Sequence, residues 1–381
     1  MKDSYQDLHN RHSIYIERLA THLYREHLVS GLDEAYKTAR LILLDSDNLT
    51  SLSQVNKLTS AIKSAVSPTL TSSWSSVTSE LEEAAIYEAG FYRGMFNTAM
   101  AVDLALPSES KIIKAVNKSL MTLTSGNSVK SDVWSAFTKA NASATVDAYT
   151  SQIRAGFSND ETLTQITKRI KTINDNLLKR NAETLVRTGM SHYANSSRET
   201  LMQANKEIVP NKYFNSVFDN RRTAICSSYS VNPVFAIDDP KAPNFPLHYG
   251  ERSNWLYLIE GQTEPEGTRA AVGGKSGKEA QEAYNKRKSN LDKRRDNENI
   301  QGETSSKVKY RGKKDTNMFT PGQIKATAGE EWYRSQPLWW LESNMGKGKA
   351  SLFKAGRINL DGMVDQYGKP LTLKQLIESG V

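Results

Sequence analysis

One stripe of apolar residues constrains this chain more than anything else in it. Leu70, Trp74, Val77, Leu81, Ala85, Phe91, Met95 and Ala99 recur at intervals of three and four, broken only by Gly90 and Gly94. That spacing keeps every large side chain on one face of a helix, and no strand could bury them together. Pro68 and Pro107 stand near the two ends of the stripe and suit helix boundaries.

Similar stripes run from Leu8 through Tyr15, Leu19 and Leu23, then at Ile112, Val116 and Leu120, and again at Val133, Phe137, Ala140 and Ala144 beyond Gly126. At Gly156-Phe157-Ser158-Asn159-Asp160-Glu161 the glycine is expected to close one helix, and Ser158 or Asp160 to cap the next. Leu163, Ile166, Ile170 and Ile173 then give its buried face, and a further helix from about Leu177 to Asn205 carries Leu185, Val186, Tyr193 and Leu201. About 205 residues are therefore expected to be helix after helix.

Past Pro210 the pattern shortens to β-rich runs at Tyr213–Phe218, Val234–Ile237 and Trp255–Ile259, punctuated by Pro, Asp and Asn. From Gly261 to Asn317 only Val272, Leu291, Ile300 and Val308 are aliphatic, which predicts an insertion without a core of its own, with one solvated helix from Lys278 to Arg295. Apolar residues return at Trp332, Leu338, Trp339 and Trp340, and the last 30 residues are expected to rejoin the β-rich unit. The fold class expected is a mainly α N-terminal region followed by a small α+β module with a basic, poorly packed insertion. The expected divisions are 1–150, then 151–260 with 318–381, with 261–317 as the insertion.

Charge sharpens this division. The chain holds 50 Lys/Arg and 42 Asp/Glu, and between Lys275 and Lys314 there are 13 of the former against 6 of the latter, so nearly all of the net +8 is local. A concentrated positive segment attracts phosphate, whereas a scattered surplus only aids solubility. Lys286, Arg287, Lys288, Lys293, Arg294 and Arg295 are the candidate contacts to nucleic acid, of a kind that would not read base sequence, and Arg311, Lys313 and Lys314 extend them. The opposed reading is a solvated face neutralised by Glu279, Glu282, Asp292 and Asp296. Trp332, Trp339 and Trp340 are read as core or partner contacts ahead of a base-stacking platform.

No apolar run approaches the roughly 20 residues needed to cross a bilayer, so no membrane span is expected. The start, MKDSYQDLHNRHS, lacks the apolar core of a signal peptide. Cys226 is the sole cysteine, which excludes an intrachain disulfide and fits assembly in a reducing cytoplasm. No HExxH, GxSxG or Walker A motif occurs, and Gly273-Gly274-Lys275-Ser276 lacks the upstream glycine of a phosphate loop.

Three blocks, in order, resemble the head-morphogenesis family typified by the F protein of phage Mu, the MuF family. The first is Gly156-Phe157-Ser158 with Leu163, Ile166 and Ile170, then Ala182–Thr188 and Ala194–Glu199. The second is Tyr213 through Cys226, where Asp219, Arg221, Thr223 and Cys226 match a strand, turn and Cys pattern, followed by Pro246, His248 and Arg252 in Phe245–Ser253. The third is Leu352–Arg357 through Leu371-Thr372-Leu373.

The resemblance implies a minor capsid protein, not an enzyme, acting at the portal vertex inside the phage head in assembly and DNA packaging, with ejection alongside the genome as a variant of that role. It implies portal protein as partner, with major capsid or scaffold protein and genomic DNA as further ones, and assembly in the host cytoplasm. The N-terminal helices, with small residues at Ala84, Ala85, Gly90, Gly94 and Ala99, are read as the docking region. Where the family presents several Cys around one His, this chain keeps Cys226 and His248 but has Glu251 at the last Cys position. No cofactor is expected, and no structural zinc, since such a site wants four ligands and only Cys226 and His248 of the usual soft set survive; a site of Cys226, His248 and Glu251 is the weaker alternative. Asp219, Arg221 and Arg252 are expected to tie the same loops by charge-assisted hydrogen bonds instead. Two alternatives stand beside this reading: a head-carried nucleic-acid-processing or thiol enzyme using Cys226 with His248, and a nonspecific DNA-binding protein without a head role.

Overall fold

A computed structural model describes residues 5–46, 49–125, 128–301, 318–325, 327–365 and 368–380, with the side chains of 125, 128 and 290–301 left aside. The chain is mainly helical, with a small sheet region toward its C-terminal side. It divides into two compact units, one of residues 11–204 with 244–251, the other of residues 1–10, 205–243 and 252–381.

The helical unit begins in α1 (Tyr5–Leu23), which runs through a π-turn at Tyr24–Val29 into α2 (Ser30–Leu44). Its spine is α3 (Leu52–Met100), 49 residues in one helix, about 70 Å at 1.5 Å per residue. Ser51 and Gln54 form a capping box that fixes where it starts. The helix therefore begins well before Pro68 and passes straight through it. Pro68 faces solvent, where water can satisfy the carbonyl one turn back that loses its amide partner. The buried stripe is Val66, Leu70, Trp74, Val77, Leu81, Ala85, Ala89, Tyr92 and Phe96, so Tyr92 takes the core position expected of Phe91. Gly90 and Gly94 lie exposed with nothing within 4 Å of a would-be Cβ, so they serve no close packing inside this unit.

Around α3 pack α2, α4 (Glu109–Lys118), α5 (Trp134–Ser158) and α7 (Lys179–Gln203). Between α4 and α5 the helical pattern breaks into an antiparallel hairpin, β1 (Leu120–Ser125) with β2 (Ser128–Val133), which the helical stripes did not predict. Met121 and Leu123 are buried while Leu120 is exposed, the alternation of a strand. The expected separator Gly126 lies outside the described residues. Helix α5 ends at Ser158 and α6 (Leu163–Ile173) is capped by Thr162 in a box with Gln165, so neither Ser158 nor Asp160 is the cap. Gly156 lies inside α5, at a point where Ile166 occupies the space a Cβ would need. As α5 crosses residue 150 unbroken, the first 204 residues less the opening ten belong together, and the division falls at Ala204 rather than at 150.

In the second unit, β3 (Asn211–Asn215) lies between β4 (Val234–Ala236) and β5 (Asn254–Leu258), antiparallel to both. The start of α1 belongs here: the Tyr257 amide donates to the Tyr5 hydroxyl at 3.1 Å, and His9 meets Asn254 at 2.7 Å. Short helix α8 (Ala224–Ser228) precedes β4. A second ribbon pairs β6 (Thr268–Gly274) with β7 (Phe319–Lys325), and α9 (Lys278–Gln301) follows β6. The expectation that 261–317 stands apart from the core is thereby corrected for its first third. Ala271 and Ala280 are buried in one cluster with Phe218, Trp339, Trp340, Phe353 and Leu360, and small residues rather than aliphatics make the fit. The Trp340 indole donates to the Val272 carbonyl and the Trp339 indole to that of Lys275, both at 3.0 Å. Helices α10 (Glu330–Ser335), α11 (Leu338–Met345), α12 (Lys347–Lys354) and α13 (Leu373–Glu378) close this core, so the C-terminal segment does rejoin the unit.

Candidate functional site: the Asp219–Cys226 loop

The loop that leaves β3 turns on one carboxylate. Asp219 Oδ1 accepts the Arg221 amide at 3.0 Å, the local bond that bends the chain back on itself. Arg252, just before β5, then reaches the same carboxylate with two nitrogens at 2.8 and 2.9 Å. Burial pushes the Asp219 carboxyl up, but the Arg252 bonds and charge outweigh it and hold its pKa below the ordinary aspartate value. The Arg221 side chain is mostly exposed and stays 3.5 Å away, so the backbone amide carries its contribution.

Thr223 caps α8, its hydroxyl oxygen accepting the Cys226 amide at 3.4 Å while the same hydroxyl donates to Cys226 Sγ at 3.1 Å. Cys226 is buried. Asn344 of α11 braces the loop from the other side, donating to the carbonyls of Arg222 at 3.2 Å and Asp219 at 3.4 Å. The charge-assisted tie expected of Asp219, Arg221 and Arg252 is therefore present, with Arg252 as its main arm.

Pro246 and His248 lie in the short segment 244–251 that belongs to the helical unit. There the Phe245–Pro246 bond is cis, the Phe245 carbonyl meets His192 Nδ1 at 3.3 Å, and the Gly250 amide donates to Thr188 at 3.0 Å. His248 Nδ1 lies 3.0 Å from the Tyr249 carbonyl, and its Nε2 lies 3.0 Å from Glu251. Cys226 belongs to the other unit, and within the helical unit His248 and Glu251 lie side by side.

Of the candidate DNA contacts, Lys286, Arg287 and Lys288 sit exposed on α9. Lys293, Arg294 and Arg295 continue the same helix, and Arg311, Lys313 and Lys314 lie outside the described residues. Trp339 and Trp340 are buried and Trp332 packs edge-on against Trp340 with ring centroids 5.5 Å apart, which makes all three core rather than a stacking platform.

Two groups escaped the sequence reading. In the helical unit, fully buried Glu88 of α3 accepts from Arg198 of α7 and pairs with His12 Nε2 at 2.6 Å, while the His12 ring stacks on Phe91 at 3.6 Å. In the α+β unit, Arg222 and Arg269 both lie over the Phe218 ring, at 4.2 and 4.0 Å from its centroid. Nothing in helical or strand periodicity marks a buried charge, so only the apolar setting of Glu88 in its stripe offered a hint. No helix among the described residues is long and apolar enough to cross a membrane. Comparison with known protein families, with curated proteins and with solved structures finds no match.

Proposed function

We propose that this chain is a minor head protein of the MuF type, working at the portal vertex of a tailed phage in head assembly and DNA packaging. The observation that carries the reading is the loop geometry of the second sequence block. Asp219, Arg221, Thr223, Cys226 and Arg252, picked out by resemblance, form one connected set of bonds around the turn after β3. A motif whose residues hold a loop in shape suits a scaffold for contacts better than a reacting centre. The other blocks are structural in the same way: Arg198 holds Glu88, and Phe353 is a core residue against which Arg334 packs at 4.2 Å.

Under this reading the long helices present the surface that docks on portal or shell protein, and the exposed Gly90 and Gly94 of α3 let a partner backbone approach closely. The basic face at Lys286, Arg287 and Lys288, continued by Lys293, Arg294 and Arg295, faces packaged DNA. The test is co-expression of the full chain with the portal protein of the same phage, followed by purification through a tag on the portal. A stoichiometric complex surviving moderate salt is expected. Recovery of portal alone, with this chain soluble and folded in the unbound fraction, would overturn the proposal.

A further inference from the structure

Arg222 and Arg269 are both buried, with 6% and 2% of their surfaces exposed, and neither has an ion pair among the described residues. Arg222 follows the Asp219 turn, and Arg269 sits on β6. Phe218 lies beside that strand, its amide donating to the Ala270 carbonyl at 3.2 Å and its carbonyl accepting the Val272 amide at 2.7 Å. Both guanidiniums therefore share one aromatic ring in one core.

Neutral groups meet part of their need. Arg222 donates to the Cys226 carbonyl at 2.6 Å, to the Tyr333 hydroxyl at 3.3 Å and to the Ser230 hydroxyl. Arg269 donates to the Ala328 carbonyl and is hydrogen-bonded with the Tyr213 phenol. Three nitrogens remain without a hydrogen-bond partner: Nε of Arg222, and Nε and Nη1 of Arg269. Asp219, at the head of the same turn, is already taken up by Arg252 and the Arg221 amide.

Two positive charges held on one ring in an apolar core oppose folding unless something of opposite sign joins them, because ring contacts and neutral acceptors replace only part of the lost hydration. Burial, helped by the charge of Arg222, already pulls the Arg269 pKa down to about 10. Arginine stays protonated in protein interiors, so proton loss is a poor escape. Buried donors left open in this way call for a partner, and a bound ion or water is one that supplies acceptors.

We propose that the Arg222–Arg269 pair is a binding site for one small tetrahedral oxyanion, inorganic phosphate or sulfate, that is enclosed as the α+β unit folds. A planar carboxylate satisfies one guanidinium fork, whereas the oxygens of a tetrahedral anion spread in several directions and can serve donors from two guanidiniums at once. The burial of both residues excludes a nucleic-acid backbone and fits a free ion.

The test uses the full chain, refolded from denaturant in chloride buffer with radiolabelled orthophosphate, and equilibrium dialysis at constant ionic strength. One saturable site per chain is expected, competed by sulfate and not by chloride, with a thermal midpoint that rises with phosphate along a single-site curve. Arg269→Met and Arg222→Met should each weaken phosphate binding at least tenfold and remove the phosphate dependence of the midpoint. If either variant fails to fold, the wild-type dialysis decides alone. Absence of saturable binding to the wild type, with equal midpoints in phosphate and chloride and water on the three nitrogens in a crystal structure, would overturn the proposal. Binding that persists undiminished in a folded variant would overturn it too.

Discussion

Arg252 holds both carboxylate oxygens of Asp219, Nη1 on Oδ2 at 2.8 Å and Nη2 on Oδ1 at 2.9 Å. The pair joins the turn after β3 to the residue that leads into β5, two points 33 positions apart in the chain. Replacing Asp219 by Asn keeps the shape and removes the charge. We expect a loss of about 2 kcal/mol, below the ~3–5 kcal/mol of a fully enclosed pair, because 26% of the Arg252 side chain meets solvent. Since the folded pKa of Asp219 is lowered, its contribution is present above the ordinary aspartate pKa and disappears as pH falls through the folded value. Chemical denaturation of wild type and Asp219→Asn from neutral pH to about pH 3 should show the gap between them closing on the acid side. A gap independent of pH would contradict this account.

Glu88 is the matching pair in the helical unit, with no solvent to moderate it. Burial raises its pKa, but the charge of Arg198 and the hydrogen bond to His12 prevail and leave it below the usual glutamate value. Glu88→Gln should cost about 3–5 kcal/mol, since it breaks a fully buried ion pair with Arg198 and the bond to His12. Here too the stabilisation is full above the ordinary glutamate pKa and falls away as pH drops through the folded value. Urea titration of the variant at neutral pH checks the size, and a change well under the roughly 3 kcal/mol expected of a broken buried pair would show that the network is of little consequence.

The ribbon of β6 and β7 is part of the core, and Gly274 tests that claim at one atom. A Cβ there would lie 2.7 Å from the Trp340 Cβ and 2.9 Å from the Trp339 ring. Gly274→Ala should destabilise by about 1–3 kcal/mol through overpacking. Removing 261–317 altogether takes away β6 and should give a protein that no longer melts cooperatively. A stable deletion variant would restore the view of this stretch as an insertion.

The basic face of α9 is tested by salt. Replacing Lys286, Arg287, Lys288, Lys293, Arg294 and Arg295 with Gln should weaken binding to random duplex DNA and flatten its salt dependence. The slope should change by about one unit for each phosphate that the variant no longer neutralises. Identical slopes for the two proteins would assign this face to solvent.

How far the sequence could be read differs from one element to the next. The α3 stripe follows from periodicity, and β3, β4 and β5 from short β-rich runs set off by Pro, Asp and Asn, since β3 and β5 are buried residue after residue rather than on one face. The hairpin at Leu120–Val133 escaped because it is short and, among its described residues, buries just Met121 and Leu123. Helix starts were misplaced where Ser51 with Gln54 and Thr162 with Gln165 form capping boxes, a signal present in the sequence as Ser/Thr followed three residues later by Gln. The Asp219–Arg252 tie was legible in the residue types, an acid and a base in the loops that flank β3 and β5. Arg222 with Arg269 was not, since their meeting depends on β6 joining a core that aliphatic content alone did not foretell.

The central claim, a place at the portal vertex, is tested most directly by a cryo-EM map of the intact phage head in which this chain is located. The account predicts density for the α2–α7 helices against the portal, with the 49-residue rod of α3 as the recognisable feature. Heads that lack the chain, or that carry it only on the outer shell away from the portal, would contradict it.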